Sequence, residues 1–213
     1  MKIGGLQKFS LIDYPAVIST VVFTQGCNYR CRYCHNPELV LPQLFAPPIP
    51  EQEIFAFLDR RKGMLEGAVI TGGEPTLQPD LPDFLAAVKD KGYLVKLDTN
   101  GSRPALLRTV LKAGVVDYCA LDLKAPAARY RLVCGDRADP GAVEESLRTV
   151  ERSGIPYHTR TTWDERCLSS ADRAAILSQV RAPERHIFQS CRIHPGILAD
   201  YAGVESSAAE EIR

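Results

Sequence analysis

The sequence predicts an α/β fold with a parallel sheet, and three observations support this prediction. Strand-like and helix-like segments alternate along the 213 residues, which is the order typical of βαβ units. Glycine or proline stands at many of the segment ends. Cysteine or polar residues follow several predicted strands directly, as expected where the carboxyl ends of parallel strands form one functional edge.

Six strand–helix units can be assigned in order. The first strand is predicted at 17–24, a run rich in β-branched residues. Prolines then disfavour regular structure from 41 to 50, and 124–139 is predicted to be irregular. The other predicted strands are 68–71, 93–98, 115–123, 156–162 and 186–189. The predicted helices are 51–62, 81–91, 104–113, 140–153 and 170–180.

Length and composition favour one soluble domain over residues 1–213, with an N-terminal extension at 1–16 and a flexible tail at about 197–213. Lysine and arginine together equal aspartate and glutamate, at 26 each, so no net field attracts nucleic acid or an anionic membrane. No apolar run approaches a membrane span and no signal peptide is recognisable. Seven cysteines without a disulfide context indicate a reducing, cytoplasmic location.

The cysteine loop is the most distinctive feature of the sequence. Cys27, Cys31 and Cys34 lie within eight residues, and thiolates favour zinc, copper(I) or iron–sulfur clusters. Structural zinc sites are closed by four ligands in paired motifs, and no second pair follows. Three ligands on one loop leave one iron of a [4Fe–4S] cluster without a protein ligand. Such an open position suits a molecule that reacts there.

Two other interpretations of these cysteines are weaker. Unrelated buried thiols are common in protein cores, but the intervening Asn28, Arg30 and Arg32 would make a poor core. A disulfide framework is disfavoured by the odd number of cysteines and the absence of secretory features. The residues themselves therefore favour an open iron–sulfur site.

The pattern from Cys27 to Cys34, followed by His35-Asn36-Pro37, resembles the cluster loop of radical S-adenosylmethionine (radical SAM) enzymes. Within that superfamily the chain resembles the glycyl-radical-enzyme activases, and among them the anaerobic ribonucleoside-triphosphate reductase activating proteins. The resemblance implies a partial (β/α)6 barrel of the TIM type, in agreement with the six predicted units. It fades after about residue 163, and the segments that carry it are 3–8, 10–15, 71–76, 97–101 and 121–126.

The resemblance also implies the cofactors. The three loop cysteines would hold a [4Fe–4S] cluster, and S-adenosylmethionine would bind its open iron and be cleaved to a 5′-deoxyadenosyl radical. Gly72-Gly73-Glu74 resembles the motif that receives the ammonium group of this cofactor. Glycines allow a close backbone approach and Glu74 is an acceptor for a cation, although a plain strand-to-helix turn is the alternative. Because oxygen destroys an exposed cluster, we expect anaerobic use.

Charged residues near the ends of the next two strands form a third group. Alternation along a strand places Ala120, Asp122 and Lys124 on one face, and buried charges of this kind indicate a functional site unless they only pair with one another. By the resemblance, Lys124 would contact the cofactor carboxylate. Asp98 and Thr99, with Asp122 and a carbonyl near Ala120, would match a monovalent-cation site.

Four more residues are expected to bind the cofactor. Asn100 belongs to the same group as Asp98 and Thr99, Arg160 is a weaker candidate, and surface-loop roles remain the alternative for Tyr33 and His35. Tyr33 and His35 would flank the adenine or the cluster, and Asn100 and Arg160 would lie near the cofactor. These candidates complete the predicted site.

The remaining cysteines fall into two groups. Cys119 alternates onto the outer face of its strand and is expected in the core. Cys134, Cys167 and Cys191 are each expected after a strand end on the same rim as the candidate site. They could ligate a second cluster or take part in radical chemistry, but their wide spacing argues against a dedicated cluster loop.

The leading functional hypothesis is an activase that abstracts hydrogen from a backbone glycine of a glycyl-radical enzyme. The expected partners are anaerobic ribonucleotide reductase and, as the electron donor, flavodoxin or ferredoxin. A second hypothesis is a radical SAM enzyme acting on a small molecule or peptide with help from the downstream cysteines. The non-enzyme rival is an iron–sulfur or zinc protein that only binds metal or transfers electrons.

Overall fold

Among the residues that the structure describes, seven strands form a single sheet whose spatial order follows the chain order. The computed structural model describes residues 1–192 and 195–201. The first strand is antiparallel to the second, and the other six run parallel to one another. The strands are β1 (Ile3–Ser10), β2 (Ser19–Thr24), β3 (Gly67–Gly72), β4 (Leu94–Thr99), β5 (Tyr118–Asp122), β6 (Tyr157–Trp163) and β7 (His186–Ser190).

Helices connect each parallel strand to the next. They are α1 (Pro37–Val40), α2 (Glu51–Arg60), α3 (Leu81–Asp90), α4 (Pro104–Lys112), α5 (Tyr130–Cys134), α6 (Pro140–Glu151) and α7 (Ser170–Gln179). The six parallel strands and their helical connections confirm the predicted α/β fold. Parallel strands of this kind bring their carboxyl ends to one rim.

Three local predictions are corrected by the structure. Strand β1 lies in the expected N-terminal extension and pairs with β2 through irregular register, so its sequence lacks a clean alternation. Helix α5 falls within 124–139, where no regular structure was predicted, and its five residues are too few to give a helical period. A short 3-10 turn occupies Pro42–Leu44, where the proline at its first position still permits one tight turn.

The two faces of the sheet bury different residues. Val22, Ile70 and Leu97 face outwards and pack with Leu58 and Leu85 of the helices in the main hydrophobic core. Cys119 belongs to this outer core, as its strand parity predicted. A smaller group on the inner face consists of Tyr14, Val21 and Val69, with Tyr118 packed against it. On the inner face, apolar side chains therefore lie towards the amino ends of the parallel strands, and polar residues occupy the carboxyl ends.

The C-terminal part is described only as far as residue 201. Ile197 and Leu198 are buried, and the backbone N of Leu198 donates to the carbonyl oxygen of Cys34 at 2.9 Å. The start of the expected flexible tail thus contacts the cysteine loop. Residues 202–213, the rest of that prediction, lie outside the described residues.

Candidate active site

A cavity of about 490 Å³ opens at the carboxyl ends of the strands. It is lined by every candidate residue that the sequence suggested except Ala120, which is fully buried below it. These lining residues come from the cysteine loop and from the ends of β3 to β6: Cys27, Cys31, Tyr33, Cys34, His35, Gly72, Gly73, Glu74, Asp98, Thr99, Asn100, Asp122, Lys124 and Arg160.

The cysteine loop is held by backbone hydrogen bonds at both of its ends. Gly26, with a φ of +95°, turns the chain out of β2 and donates to the carbonyl oxygen of Leu39 at 2.8 Å. A tight turn places the backbone N of Cys34 2.9 Å from the carbonyl oxygen of Cys31. The loop therefore presents three thiols to one cavity from a fixed base.

The loop thiols are protonated in the metal-free chain. Burial raises the pKa of Cys27 to about 12 and that of Cys34 to about 11. A hydrogen bond with Cys134, together with burial, raises the pKa of Cys31 well above its ordinary value. Thiols must lose their protons to ligate a metal, so binding of a soft metal here releases protons and depends on pH.

The donor set fits an iron–sulfur cluster. Besides the three thiols, two N–H donors point at sulfur: the backbone N of Tyr29 lies 3.4 Å and Nδ2 of Asn100 3.8 Å from the Cys27 Sγ. The hydroxyl groups of Tyr29 and Tyr33 are buried without a hydrogen-bond partner in the described structure. Donors around a cluster are expected, because hydrogen bonds to its sulfurs help set its potential.

The Gly72-Gly73 pair lets β3 end directly against the cysteine loop. A Cβ atom on Gly73 would lie 2.1 Å from the carbonyl oxygen of Gly26, and Gly72 has a φ of +110°. The backbone N of Glu74 also donates to that oxygen, at 2.8 Å. The sequence predicted that the backbone of these glycines approaches a ligand closely. In the structure this backbone lies against the cysteine loop, and the contact fixes the distance between the loop and the end of β3.

Glu74 is buried and ties the end of β3 to the end of β4. Its Oε1 accepts from the backbone N of Thr76 at 3.0 Å, from the Thr76 hydroxyl, and from Oγ1 of Thr99 at 2.7 Å. Its Oε2 accepts from the backbone N of Asn100 at 2.6 Å. Burial raises the pKa of Glu74, and these hydrogen bonds oppose the rise. Glu74 also lines the cavity.

An ionic chain crosses the inner face of β4, β5 and β6. Lys96 pairs with Asp98, whose Oδ2 lies 3.1 Å from Arg160. The Nε of Arg160 donates to Asp122 at 2.6 Å, and Asp122 accepts from Lys124 at 2.9 Å. The three cations and two carboxylates carry a net charge of +1. Asp13 and Glu74 also line the cavity, so an anionic group is favoured only close to Lys124.

The ionic chain also fixes protonation states. Burial alone would raise the pKa of Asp122, but Arg160 and Lys124 hold it well below the ordinary range. Burial would lower the pKa of Lys124, but Asp122 raises it well above the ordinary value. Both side chains are charged at neutral pH.

The monovalent cation expected at Asp98, Thr99, Asp122 and the carbonyl of Ala120 is unsupported. The guanidinium group of Arg160 bridges the two carboxylates, so the protein supplies the positive charge itself. Oγ1 of Thr99 donates to Glu74 instead. The alternative drawn from the sequence, an ion-pair network, describes this part of the site better.

Tyr33 and His35 differ in their surroundings. Tyr33 is buried, whereas His35 is exposed and its Nε2 lies 2.7 Å from the carbonyl oxygen of Arg192. Both line the cavity. Residues that sequence reasoning did not select as lining include Tyr29, Thr71 and Gln189. Side-chain alternation along the strands could have placed Thr71 and Gln189 on the same face as Asp98 and Arg160. Nothing in the sequence indicated that Tyr29 lines the cavity.

The downstream cysteines occupy two places. Cys134 is fully buried at the end of α5, so a helix separates it from the strand end where it was expected. Cys167 and Cys191 are half-buried and pack against the same group of buried residues as Cys27. In the described ranges, no three His, Cys, Asp or Glu side chains are already grouped as metal ligands. The same holds for the three loop cysteines, so this absence does not distinguish a second cluster site from the first.

Comparison with known proteins places the chain in a family. The family model described as the radical SAM superfamily matches residues 21–164, a range that contains the cysteine loop, the Gly72-Gly73-Glu74 segment and the ionic chain. This chain belongs to the radical SAM superfamily. Membership implies a [4Fe–4S] cluster and S-adenosylmethionine, in agreement with the thiols and donors of the cavity.

Similar proteins narrow the family further. A Methanocaldococcus jannaschii protein named "Putative glycyl-radical enzyme activating enzyme" is 31% identical over 88% of this chain and 78% of its own length. A pyruvate formate-lyase-activating enzyme of Clostridium pasteurianum is 32% identical over 75% of this chain and 67% of its own. The chain is thus a radical SAM enzyme of the glycyl-radical-enzyme activating type.

Solved structures agree with this fold. Streptococcus suis SuiB bound to S-adenosylmethionine superimposes with a TM-score of 0.66 at 14% identity, over 82% of this chain and 40% of SuiB. The enzyme anSMEcpe with bound AdoMet gives 0.62 at 15% identity, over 79% of this chain and 49% of that one. The radical SAM chain therefore spans less than half of each of these two proteins. None of its described helices is long and apolar enough to cross a membrane.

Proposed function

We propose that this radical SAM enzyme cleaves S-adenosylmethionine and directs the resulting radical to a backbone glycine of a glycyl-radical enzyme. The observation that carries this proposal is the convergence of three thiols, a buried carboxylate and the ionic chain that ends in Lys124 on one cavity. When bound, the cluster supplies one electron that splits the sulfonium into methionine and a 5′-deoxyadenosyl radical. The protein's own task is to orient the cofactor and exclude other hydrogen donors.

The polar residues of the cavity suit the two ends of a methionine group. Lys124 lies on the rim with only 14% of its side chain exposed and is held by Asp122, so its ammonium group can receive a carboxylate. The second acceptor position of the Glu74 Oε2 can receive an ammonium group. Both are fixed by hydrogen bonds before any ligand arrives, which lowers the entropy lost on binding.

Tyr33, His35 and Asn100 are proposed to bound the rest of the cofactor. Tyr33 is buried with its ring in the cavity wall, which suits contact with an apolar ring face. Asn100 already reaches both Cys27 and Asn28, the latter at 3.1 Å, so it links the cysteine loop to β4. Arg160 acts by positioning Asp98 and Asp122.

We infer that the electron donor approaches from the opposite side of the cysteine loop. A second cavity of about 780 Å³ shares Cys27 with the first and is lined by three cations, Lys2, Arg103 and Arg137, against one anion, Asp139. The whole chain has no net charge, so this is a local excess. An acidic carrier such as flavodoxin or ferredoxin would be steered to this face.

Anaerobic ribonucleoside-triphosphate reductase is the proposed partner, on the resemblance of the N-terminal segments to its activating proteins. The test is anaerobic reconstitution with iron and sulfide, followed by incubation with S-adenosylmethionine and a reductant. Formation of 5′-deoxyadenosine is expected, together with a glycyl-radical doublet in the electron paramagnetic resonance spectrum of co-incubated anaerobic ribonucleotide reductase. Pyruvate formate-lyase is tried in parallel.

Matched variants sharpen this test. Cys31→Ala removes a loop thiol and is expected to abolish both signals, whereas Cys119→Ala removes a thiol that is also buried, in the outer core, and is expected to keep them. A doublet only on pyruvate formate-lyase would overturn the choice of partner. Cofactor cleavage without a doublet on either enzyme would instead favour a small-molecule or peptide substrate, with the half-buried Cys167 and Cys191 as candidate participants.

A further inference from the structure

The segment 197–199 lies across the last turn of the cysteine loop. It contains the start of the 3-10 turn Leu198–Tyr201, and the first N–H groups of such a turn have no partner within it. Here the backbone N of Leu198 donates to the carbonyl oxygen of Cys34 at 2.9 Å, and that of Ala199 donates to the carbonyl oxygen of Arg32 at 3.1 Å. Two hydrogen bonds therefore fix the segment to the turn that carries the third cysteine.

Leu198 belongs to an apolar group beside two of the loop cysteines. It is only 4% exposed, and it forms this group with Val40 and Leu41, against which Cys27 and Cys34 pack. Val40 and Leu41 follow the cysteine loop closely in the sequence. Within the described residues, Leu198 is thus the buried member of the group that a distant part of the chain contributes.

The same apolar group lies between the two cavities of the site. Cys27 and Val40 line both the cavity of about 490 Å³ and the second cavity of about 780 Å³, so they form part of the wall between them. Leu198 is buried in the group that contains Val40. Its side chain therefore fills space through which water would otherwise approach Cys27 and Cys34.

Water beside a ligand sulfur matters for an iron–sulfur cluster. Apolar surroundings control solvent access and the local dielectric constant, and through them the reduction potential. A [4Fe–4S] cluster held by three thiolates becomes more negative on reduction, and charge is less stable in apolar surroundings than in water. Excluding water therefore lowers the potential, which makes the cluster a stronger reductant for a sulfonium.

We propose that Leu198 excludes water from the sulfur atoms of Cys27 and Cys34 and thereby lowers the reduction potential of the cluster. Leu198 is a positioning residue that acts through these two cysteines and supplies no ligand. The inference rests on the cluster of the proposed function but not on the identity of the partner enzyme. Leu198 also lies beyond residue 163, outside the segments that resemble the activating proteins.

The first test uses the reduced, metal-free chain at full length. Alkylation by iodoacetamide followed by mass spectrometry gives a rate at each cysteine, and Cys167 is the internal reference because it is half-buried outside the group of Leu198. Cys27 and Cys34 should react several-fold faster, relative to Cys167, in Leu198→Ala than in the wild type. Leu65→Ala truncates a buried leucine of the outer core and should leave this ratio unchanged. Leu198→Met conserves the side-chain volume and should keep the wild-type ratio.

The second test loads the same variants with a [4Fe–4S] cluster. A redox titration followed by electron paramagnetic resonance should give a more positive midpoint potential for Leu198→Ala than for the wild type, Leu65→Ala and Leu198→Met. Leu198→Ala should also lose iron to a chelator about tenfold faster. If Leu198→Ala does not load a full cluster, the smaller truncation Leu198→Val takes its place.

Two results would overturn the inference. One is an alkylation ratio that is equal in Leu198→Ala and Leu65→Ala, and the other is a potential that stays unchanged or becomes more negative when Leu198 is truncated. Failure of the wild type to load any [4Fe–4S] cluster would instead refute the proposed function. In that case the alkylation ratio of the metal-free chain would still decide whether Leu198 shields the two thiols.

Discussion

Arg160 donates from its Nε to Oδ1 of Asp122 at 2.6 Å, and the two residues are direct partners in the register of β5 and β6. The same guanidinium group reaches Asp98 on β4. One arginine therefore joins three strands across the inner face. It also takes the place between two carboxylates where a metal cation was expected.

Replacing Arg160 by Met is expected to destabilise the chain by about 3 kcal/mol, because it leaves two carboxylates close together without their shared cation. Denaturant unfolding of the reduced, metal-free chain measures this free energy. Arg108→Met breaks the exposed pair with Glu145 and should cost about 0.5 kcal/mol. Equal costs for the two substitutions would show that the bridging arginine contributes no more than a surface ion pair.

Replacing Gly73 by Ala is expected to weaken S-adenosylmethionine binding at least tenfold and to destabilise the fold by roughly 3 kcal/mol. The added Cβ would lie 2.1 Å from the Gly26 carbonyl oxygen, so the end of β3 must move away from the cysteine loop. Gly5→Ala is the control, since its Cβ would lie 3.5 Å from Phe23 in ordinary contact. Calorimetric titration and unfolding curves give both quantities. Unchanged binding in Gly73→Ala would argue against a role for this spacing.

Stability is expected to fall as the pH falls from about 6.5 towards 4. Burial, with the nearby charges of Lys96 and Arg160, lowers the pKa of His158 to about 4, and burial lowers that of His186 to about 4 as well. The unfolded chain therefore binds more protons than the folded chain in this window.

His158→Asn tests this pH dependence while keeping an acceptor for the Tyr118 hydroxyl, which lies 3.0 Å from Nδ1 of His158. The loss of unfolding free energy between pH 7 and pH 5 should be smaller in the variant by about 1 kcal/mol, after discounting for partial exposure. Parallel losses in both proteins would mean that His158 is not protonated on unfolding.

Charge reversal at Arg103 is expected to slow cluster reduction by reduced flavodoxin about tenfold at low salt, with the difference shrinking at high salt. Arg103 lines the basic cavity behind Cys27. Arg152→Glu makes the same change of charge at the groove between α4 and α6. Stopped-flow absorbance follows the reduction. If both variants slow it equally, the effect comes from total charge and not from this face.

The sequence allowed the fold to be predicted, and it singled out residues that the structure places around one cavity, because both depend on local patterns. Strand ends could be placed from runs such as 17–24, and parity put Cys119 outside and Asp122 inside. Contacts between distant segments could not be read in this way. Nothing local indicates that Arg160 bridges two carboxylates or that the carbonyl oxygen of Cys134 accepts from the backbone N of Arg30. Strand β1 was missed because its pairing is irregular.

In the described part of the chain, β7 hydrogen-bonds to β6 alone, so the curved sheet stops before it returns to its first strand. A reactive species formed inside such a wall has an uncovered flank. Protection of that species from solvent then depends on how well a partner protein covers the open side of the sheet. The ratio of cofactor consumed to radicals stored would accordingly report how well the two surfaces fit.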